Sequence, residues 1–291
     1  MRRHNANGLL GYADDVRLLI VNADDFGMCE AVNEATLRAI EEGVVRSTSL
    51  MAPWPGAAQA MRMLRENPNI SFGVHLTVIC DMAGYLWGPL APHGTVPSLI
   101  DESGSFYDLE HIAEFVERAK LDELEVEFRA QIGAVVAAGL RPTHLDWHCL
   151  HSGGRPDIFE MTLGLAREYG LALRVSDRLW IDRLQSQGLP TGDHDLLDSY
   201  CLDPVGKLAK YVQMLRDLPF GLNEWAVHPG LDGAELRDME PDSWQVRHTD
   251  FEFLVSVEAR ETIEREGIVL LSYEPLQKVW AANSHLSFGP T

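Results

Sequence analysis

Four apolar, strand-like runs in this chain each end in side chains suited to proton or cation chemistry, and that repetition restricts how it folds. Arg17-Leu18-Leu19-Ile20-Val21-Asn22 runs directly into Ala23-Asp24-Asp25-Phe26-Gly27. Ile70–Val74 leads to His75, Pro142–Trp147 to His148, and Trp225–Val227 to His228-Pro229-Gly230. Adjacent carboxylates at the mouth of a buried strand are costly unless a cation or a proton-transfer role holds them there. A fold that gathers strand C-termini at one rim accommodates all four runs together.

The intervening segments supply such a fold. Apolar residues at helical spacing predict helices over 29–42, 57–66, 121–138, 156–169, 205–218 and 251–266, several stopped by glycine. Strand-like runs at 17–22, 44–51, 70–75, 142–148, 171–175, 225–228 and 268–273 alternate with them. That alternation, without a glycine-rich dinucleotide fingerprint, predicts an α/β fold: a (β/α) barrel of about seven parallel strands, incompletely closed, rather than a doubly wound sheet. Residues 1–16 read as a loose N-terminal tail, and 17–291 as a single catalytic barrel domain. Loop insertions at about 80–105 and 176–204 are long enough to serve as lids or binding loops.

Composition excludes several partners. With 44 acidic against 24 basic residues, the formal charge of −20 argues against nucleic acid and against anionic membrane surfaces. No run reaches membrane-spanning length, so no membrane insertion is expected. The four cysteines are scattered without a Cys-x-x-Cys pair, which together with the absence of a signal-like apolar core predicts a cytoplasmic protein. A homo-oligomer is left open.

One carboxylate and two imidazoles make a catalytic metal site with open positions for water and substrate. Asp25, His75 and His148 are the best trio, and Asp24 then stands free beside the cation, where it removes a proton from water. The bland alternative for the acidic pair is an N-cap on the helix that follows. In 142–148, period-two alternation puts His144, Asp146 and His148 on one face, with Leu145 and Trp147 on the other. His144 and Asp146 are therefore candidates to orient ligands, His151 to stand at the rim, and Arg174 to orient ligands or bind substrate. His228 is the candidate general acid, since an imidazole titrates near neutrality. Trp54, Tyr85 and Trp87 are candidate platforms for sugar rings, with core packing as the default for any one of them. The cofactor expected is one divalent ion, zinc or magnesium first, then manganese, cobalt or nickel.

Val21-Asn22-Ala23-Asp24-Asp25-Phe26-Gly27, Gly73-Val74-His75-Leu76, Thr143-His144-Leu145-Asp146-Trp147-His148 with His151, and His228-Pro229-Gly230 together resemble the YdjC-like carbohydrate deacetylases, a family that includes chitooligosaccharide deacetylases. The resemblance implies a distorted (β/α) barrel related to the polysaccharide deacetylases. It also implies a divalent metal on Asp25, His75 and His148, Asp24 as base, and a small carbohydrate substrate that loses an N-acetyl group to give a free amine and acetate. The chain departs from the family pattern at Cys149 and Trp147, both beside His148. Two rival readings remain: a non-haem iron oxygenase using the same Asp/His/His set, and a carbohydrate-binding protein without catalysis.

Overall fold

The computed structural model describes residues 5–82 and 84–283. Its strands in chain order are β1 (Arg17–Phe26), β2 (Ser47–Leu50), β3 (Phe72–Leu76), β4 (Ile79–Cys80), β5 (Tyr107–Asp108), β6 (His144–Trp147), β7 (Ala172–Leu173), β8 (Leu197–Asp198), β9 (Gly221–Val227) and β10 (Val269–Leu271). Eight of them form one parallel sheet ordered β7-β6-β3-β2-β1-β9-β8, with β10 also on β1. β9 pairs along Arg17–Ala23 of β1; β10 takes Leu18–Ile20 and β2 takes Asn22–Phe26, so those two share the opposite edge. Among the described residues β7 and β8 do not pair, which leaves the barrel open. The eighth strand, Leu197–Asp198, is too short to register as a periodic run, and the sequence pattern missed it.

Alternation along β1 explains the layering. Leu18 and Ile20 belong to one apolar cluster, Leu19, Val21 and Ala23 to a second that includes Tyr211, Leu215, Phe253 and Leu254. The second cluster lies between the sheet and the helices Lys207–Arg216 and Trp244–Leu254. The even-numbered face, which continues into Asn22 and Asp24, therefore looks into the barrel. Helix Leu121–Ala137 buries Leu124, Phe128, Ile132 and Val135 on one stripe, as its spacing predicts. Helix Pro156–Tyr169 starts with proline at its first turn and stops at Gly170, whose φ is 66°.

Three sequence expectations need correction. The segment 1–16 is not a loose tail where it is described. Ala6–Leu10 is helical, Asn7 donates through Nδ2 to the carbonyls of Ala13 and Val16, and the Ala6 N–H donates to Asp193. The helix expected over 251–266 is two helices, Trp244–Leu254 and Val257–Arg265. Ser256 breaks it by accepting from the Ala259 N–H, because a serine hydroxyl offers the backbone an N-cap that competes with continuation. The 176–204 insertion is ordered too: Asp177 caps a helix at Arg178–Ser186, and β8 lengthens the sheet.

Candidate active site

A residue inserted in one strand lets both acids face one way. Between Ala23↔Thr48 and Phe26↔Leu50, β1 advances three positions while β2 advances two. Consecutive residues of a regular strand point to opposite faces. Here the bulge, with Asp25 at φ 66°, turns both carboxylates to the same pocket. A left-handed backbone at a non-glycine residue is strained, and such strain concentrates at functional positions.

The pocket encloses about 510 Å³ at the C-terminal rim, and Asp24, Asp25, His75, Asp81, His148, His151, Arg174, His228 and Arg247 contribute to its lining. Within it, Asp25 Oδ1, His75 Nε2 and His148 Nδ1 make a nearly equilateral triangle. The edges are 3.4 Å from Asp25 to His75, 3.3 Å from Asp25 to His148 and 3.3 Å between the imidazoles. Asp25 Oδ1 is buried without a hydrogen-bond partner. An orphaned carboxylate oxygen facing two imidazole nitrogens fits a divalent cation, which these residues would hold.

Surrounding side chains fix each corner. His75 Nδ1 donates to Asp146 Oδ1 at 2.9 Å, which turns Nε2 toward the triangle. Arg247 Nη2 donates to Asp25 Oδ2 at 2.8 Å and is itself held by Glu240. Burial alone would raise the Asp25 carboxyl, but the Arg247 guanidinium and the facing imidazoles hold it well below the usual carboxylate range. Burial would depress His75; Asp146, with Asp25 and Asp24, instead lifts it to about 9, so a cation at Nε2 must displace a proton.

Asp24 stands beside this set, Oδ2 4.0 Å from His75 Nε2. Its Oδ1 accepts from Asn22 Nδ2 at 2.7 Å and Arg174 Nη2 at 2.8 Å, and its Oδ2 from Arg174 Nη1 at 2.7 Å. Against the upward push of burial, Arg174 keeps Asp24 below its ordinary pKa. Arg174 also contacts Asp146 and Glu224, so one guanidinium serves three buried carboxylates. Burial raises Glu224 despite Arg174 and the Tyr273 hydroxyl.

The remaining sequence candidates divide. His228 lines the pocket with Nδ1 buried and unpartnered, its ring edge-on to Tyr200 at 5.0 Å. Its backbone N–H donates to Asp250. His151 reaches the rim and pairs with Ser176 Oγ at 3.0 Å. His144 does not line the pocket. It is fully buried, stacked on Tyr273 with centroids 3.7 Å apart, and burial pushes it down to about 3. A Cβ at Gly73 would meet the His144 ring at 2.5 Å, so that neighbour must be glycine. Trp54 and Trp87 are no platforms here: they are buried against each other, 4.1 Å between centroids, and neither lines this pocket. Tyr85 also lies outside its lining.

Sequence reasoning missed Arg247, Asp81, Asn22, Glu224 and Ser49. Asn22 and Glu224 were within reach, because each sits an even number of residues before a chosen site residue on its strand. Ser49 bridges Asn22 and Asp146 on the neighbouring strand. Arg247 comes from the middle of a helix and Asp81 from a loop, and neither carries a sequence signal.

Known proteins share this chain's sequence and shape. The profile of the YdjC-like protein family matches residues 18–265. A carbohydrate deacetylase of Enterococcus faecalis is 34% identical over 266 residues, covering 89% of this chain and 97% of its own. A chitooligosaccharide deacetylase of Serratia marcescens is 35% identical over 161 residues, 55% of this chain and 59% of its own. A solved structure from Enterococcus faecalis, provisionally assigned to cellobiose-phosphate cleavage, superposes with a TM-score of 0.75 at 31% identity, covering 90% of this chain and 99% of that one. A family match over this span, on a barrel with this rim, establishes that the chain belongs to the YdjC-like family.

Proposed function

We propose that this protein is a metal-dependent hydrolase that removes an N-acetyl group from an amino sugar or a short oligosaccharide. The observation that carries the reading is the Asp25–His75–His148 triangle with an ionised Asp24 beside it. The relatives' names, carbohydrate and chitooligosaccharide deacetylase, supply the substrate class. A divalent cation held by Asp25 Oδ1, His75 Nε2 and His148 Nδ1 supplies Lewis-acid polarisation of the acyl oxygen and acidifies water.

The chain's own groups do the rest. Among the described residues Asp24 Oδ2 accepts one hydrogen bond, so it keeps a lone pair to take the proton from the attacking water. Arg174 and Asn22 hold that carboxylate in place and ionised. His228 delivers a proton to the departing nitrogen as the C–N bond breaks, giving a free amine and acetate. Trp147, Leu150 and Ala226 give the pocket an apolar lining beside these groups, which strengthens their charge interactions.

The donor set also favours a metal: two nitrogen donors beside one carboxylate suit zinc or a similar transition ion better than magnesium. Neither an oxygenase nor a purely binding role gains an observation from this site, since Asp24 beside the cation serves hydrolysis.

The test is acetate release across N-acetylated saccharides with metal-stripped and metal-restored protein. Release that depends on the restored ion is expected. A restored protein that frees no acetate from any of them refutes the reading.

A further inference from the structure

Asp81 and Cys149, next to the triangle, have no part in that scheme. Asp81 Oδ1 faces His148 Nε2 at 3.2 Å, and one donor atom each from Asp81, His148 and Cys149 lie within 4.8 Å of one another. Despite that closeness, Asp81 Oδ1 and His148 Nε2 are both buried without a hydrogen-bond partner. His148 is only 4% exposed, so water does not readily satisfy the orphaned nitrogen. Cys149 lines the same pocket, with its backbone held in the left-handed region at φ 57°.

We propose that Asp81, His148 and Cys149 form a second cation site, for a thiophilic divalent ion such as Zn²⁺ or Cd²⁺, bridged to the first by the His148 ring. The two ring nitrogens already face different donor sets: Nδ1 looks toward Asp25 and His75, Nε2 toward Asp81. Oxygen, nitrogen and thiolate donors with a position left open suit zinc, whereas magnesium and calcium reject the sulfur. Filling the second site while the first is loaded releases the thiol proton and the remaining ring proton to solvent, so the second ion binds more weakly. An ion there stands in the wall of the pocket and shares a ligand with the first, so excess zinc inhibits.

The inference goes beyond the deacetylase reading and is tested separately from it, by cobalt(II) titration of the metal-stripped full chain. Wild type is expected to take up two ions, the second bringing the near-ultraviolet charge-transfer band of a thiolate–cobalt bond. Cys149→Ser should take up one and show no band. Cys201→Ser, which removes the other thiol lining the pocket, should keep both. Asp81→Asn should weaken the second ion by about 10–100-fold and leave the first. A single cobalt in wild type, or a band that survives Cys149→Ser, overturns the proposal. Failure to release acetate with the first ion bound counts against the proposed function alone.

Discussion

Arg174 and Asp24 meet fork to fork, Nη1 on Oδ2 at 2.7 Å and Nη2 on Oδ1 at 2.8 Å, Asp24 from β1 and Arg174 from the residue that follows β7. The pair is buried, and two parallel charge-assisted bonds fix the carboxylate's plane as well as its charge. A base built this way is ready without reorganisation, and its remaining lone pair on Oδ2 is aimed by the same contact that keeps it ionised.

Asp24→Asn should therefore separate chemistry from cation binding. The amide has almost the same shape but takes no proton. Acetate release should fall about 10²–10⁴-fold, the usual contribution of a general base, while elemental analysis finds the same metal content. Full turnover at saturating metal would mean that another group accepts the proton.

Arg174→Gln tests the other half of the contact. Asp24, Asp146 and Glu224 would lose their shared cation in a buried site, and breaking such a network costs about 3–5 kcal/mol in urea or thermal unfolding. The sign for activity follows from charge. Arg174 lowers the Asp24 pKa, so its removal raises that pKa and moves the acid limb of kcat/KM to higher pH. An acid limb that stays in place shows that Asp24 does not set it.

Most of this arrangement was legible because strand-end chemistry and period-two alternation are local properties. Seven of the eight main-sheet strands and the faces of His144, Asp146 and His148 follow from spacing alone. What spacing does not carry is depth. His144 and His148 share a face, yet His144 lies under Tyr273 while His148 reaches the pocket. Nor does it carry partners brought from distant elements, and Arg247 on Asp25 is 222 residues away in sequence. Trp54 and Trp87 pack into the core, the default for an aromatic whose sequence context does not tell a sugar platform from a buried ring.

The buried His144 makes an acid-stability prediction. Its pKa falls from the ordinary 6.5 to about 3 because burial disfavours the charged ring. The stability it contributes is fully present above pH 6.5 and is lost as pH falls toward 3, since the unfolded chain takes up a proton that the folded one refuses. At pH 5 the loss is about 2 kcal/mol, from 1.5 units at 1.36 kcal/mol each. His144→Gln should lower Tm at pH 7 but narrow its gap to wild type as the pH drops. A gap that stays constant from pH 7 to 4 would show that the ring is charged, or absent from the linkage.

Behind His228 lies a further buried ion pair. Lys207 Nζ donates to Asp250 Oδ1 at 2.7 Å, Tyr211 donates to the same oxygen, and Asp250 Oδ2 accepts the His228 backbone N–H at 2.9 Å. Both charged side chains are fully buried. Lys207→Met would strand the Asp250 carboxylate in an apolar setting, at a cost of about 3–5 kcal/mol. Adding Asp250→Asn removes the charge and keeps an oxygen for the His228 N–H, so the double variant should recover most of that loss in urea unfolding. Recovery should extend to kcat, because the strand end that carries His228 is anchored again. A double variant as unstable as Lys207→Met alone would show that lost packing around the lysine stem, not the stranded carboxylate, sets the cost.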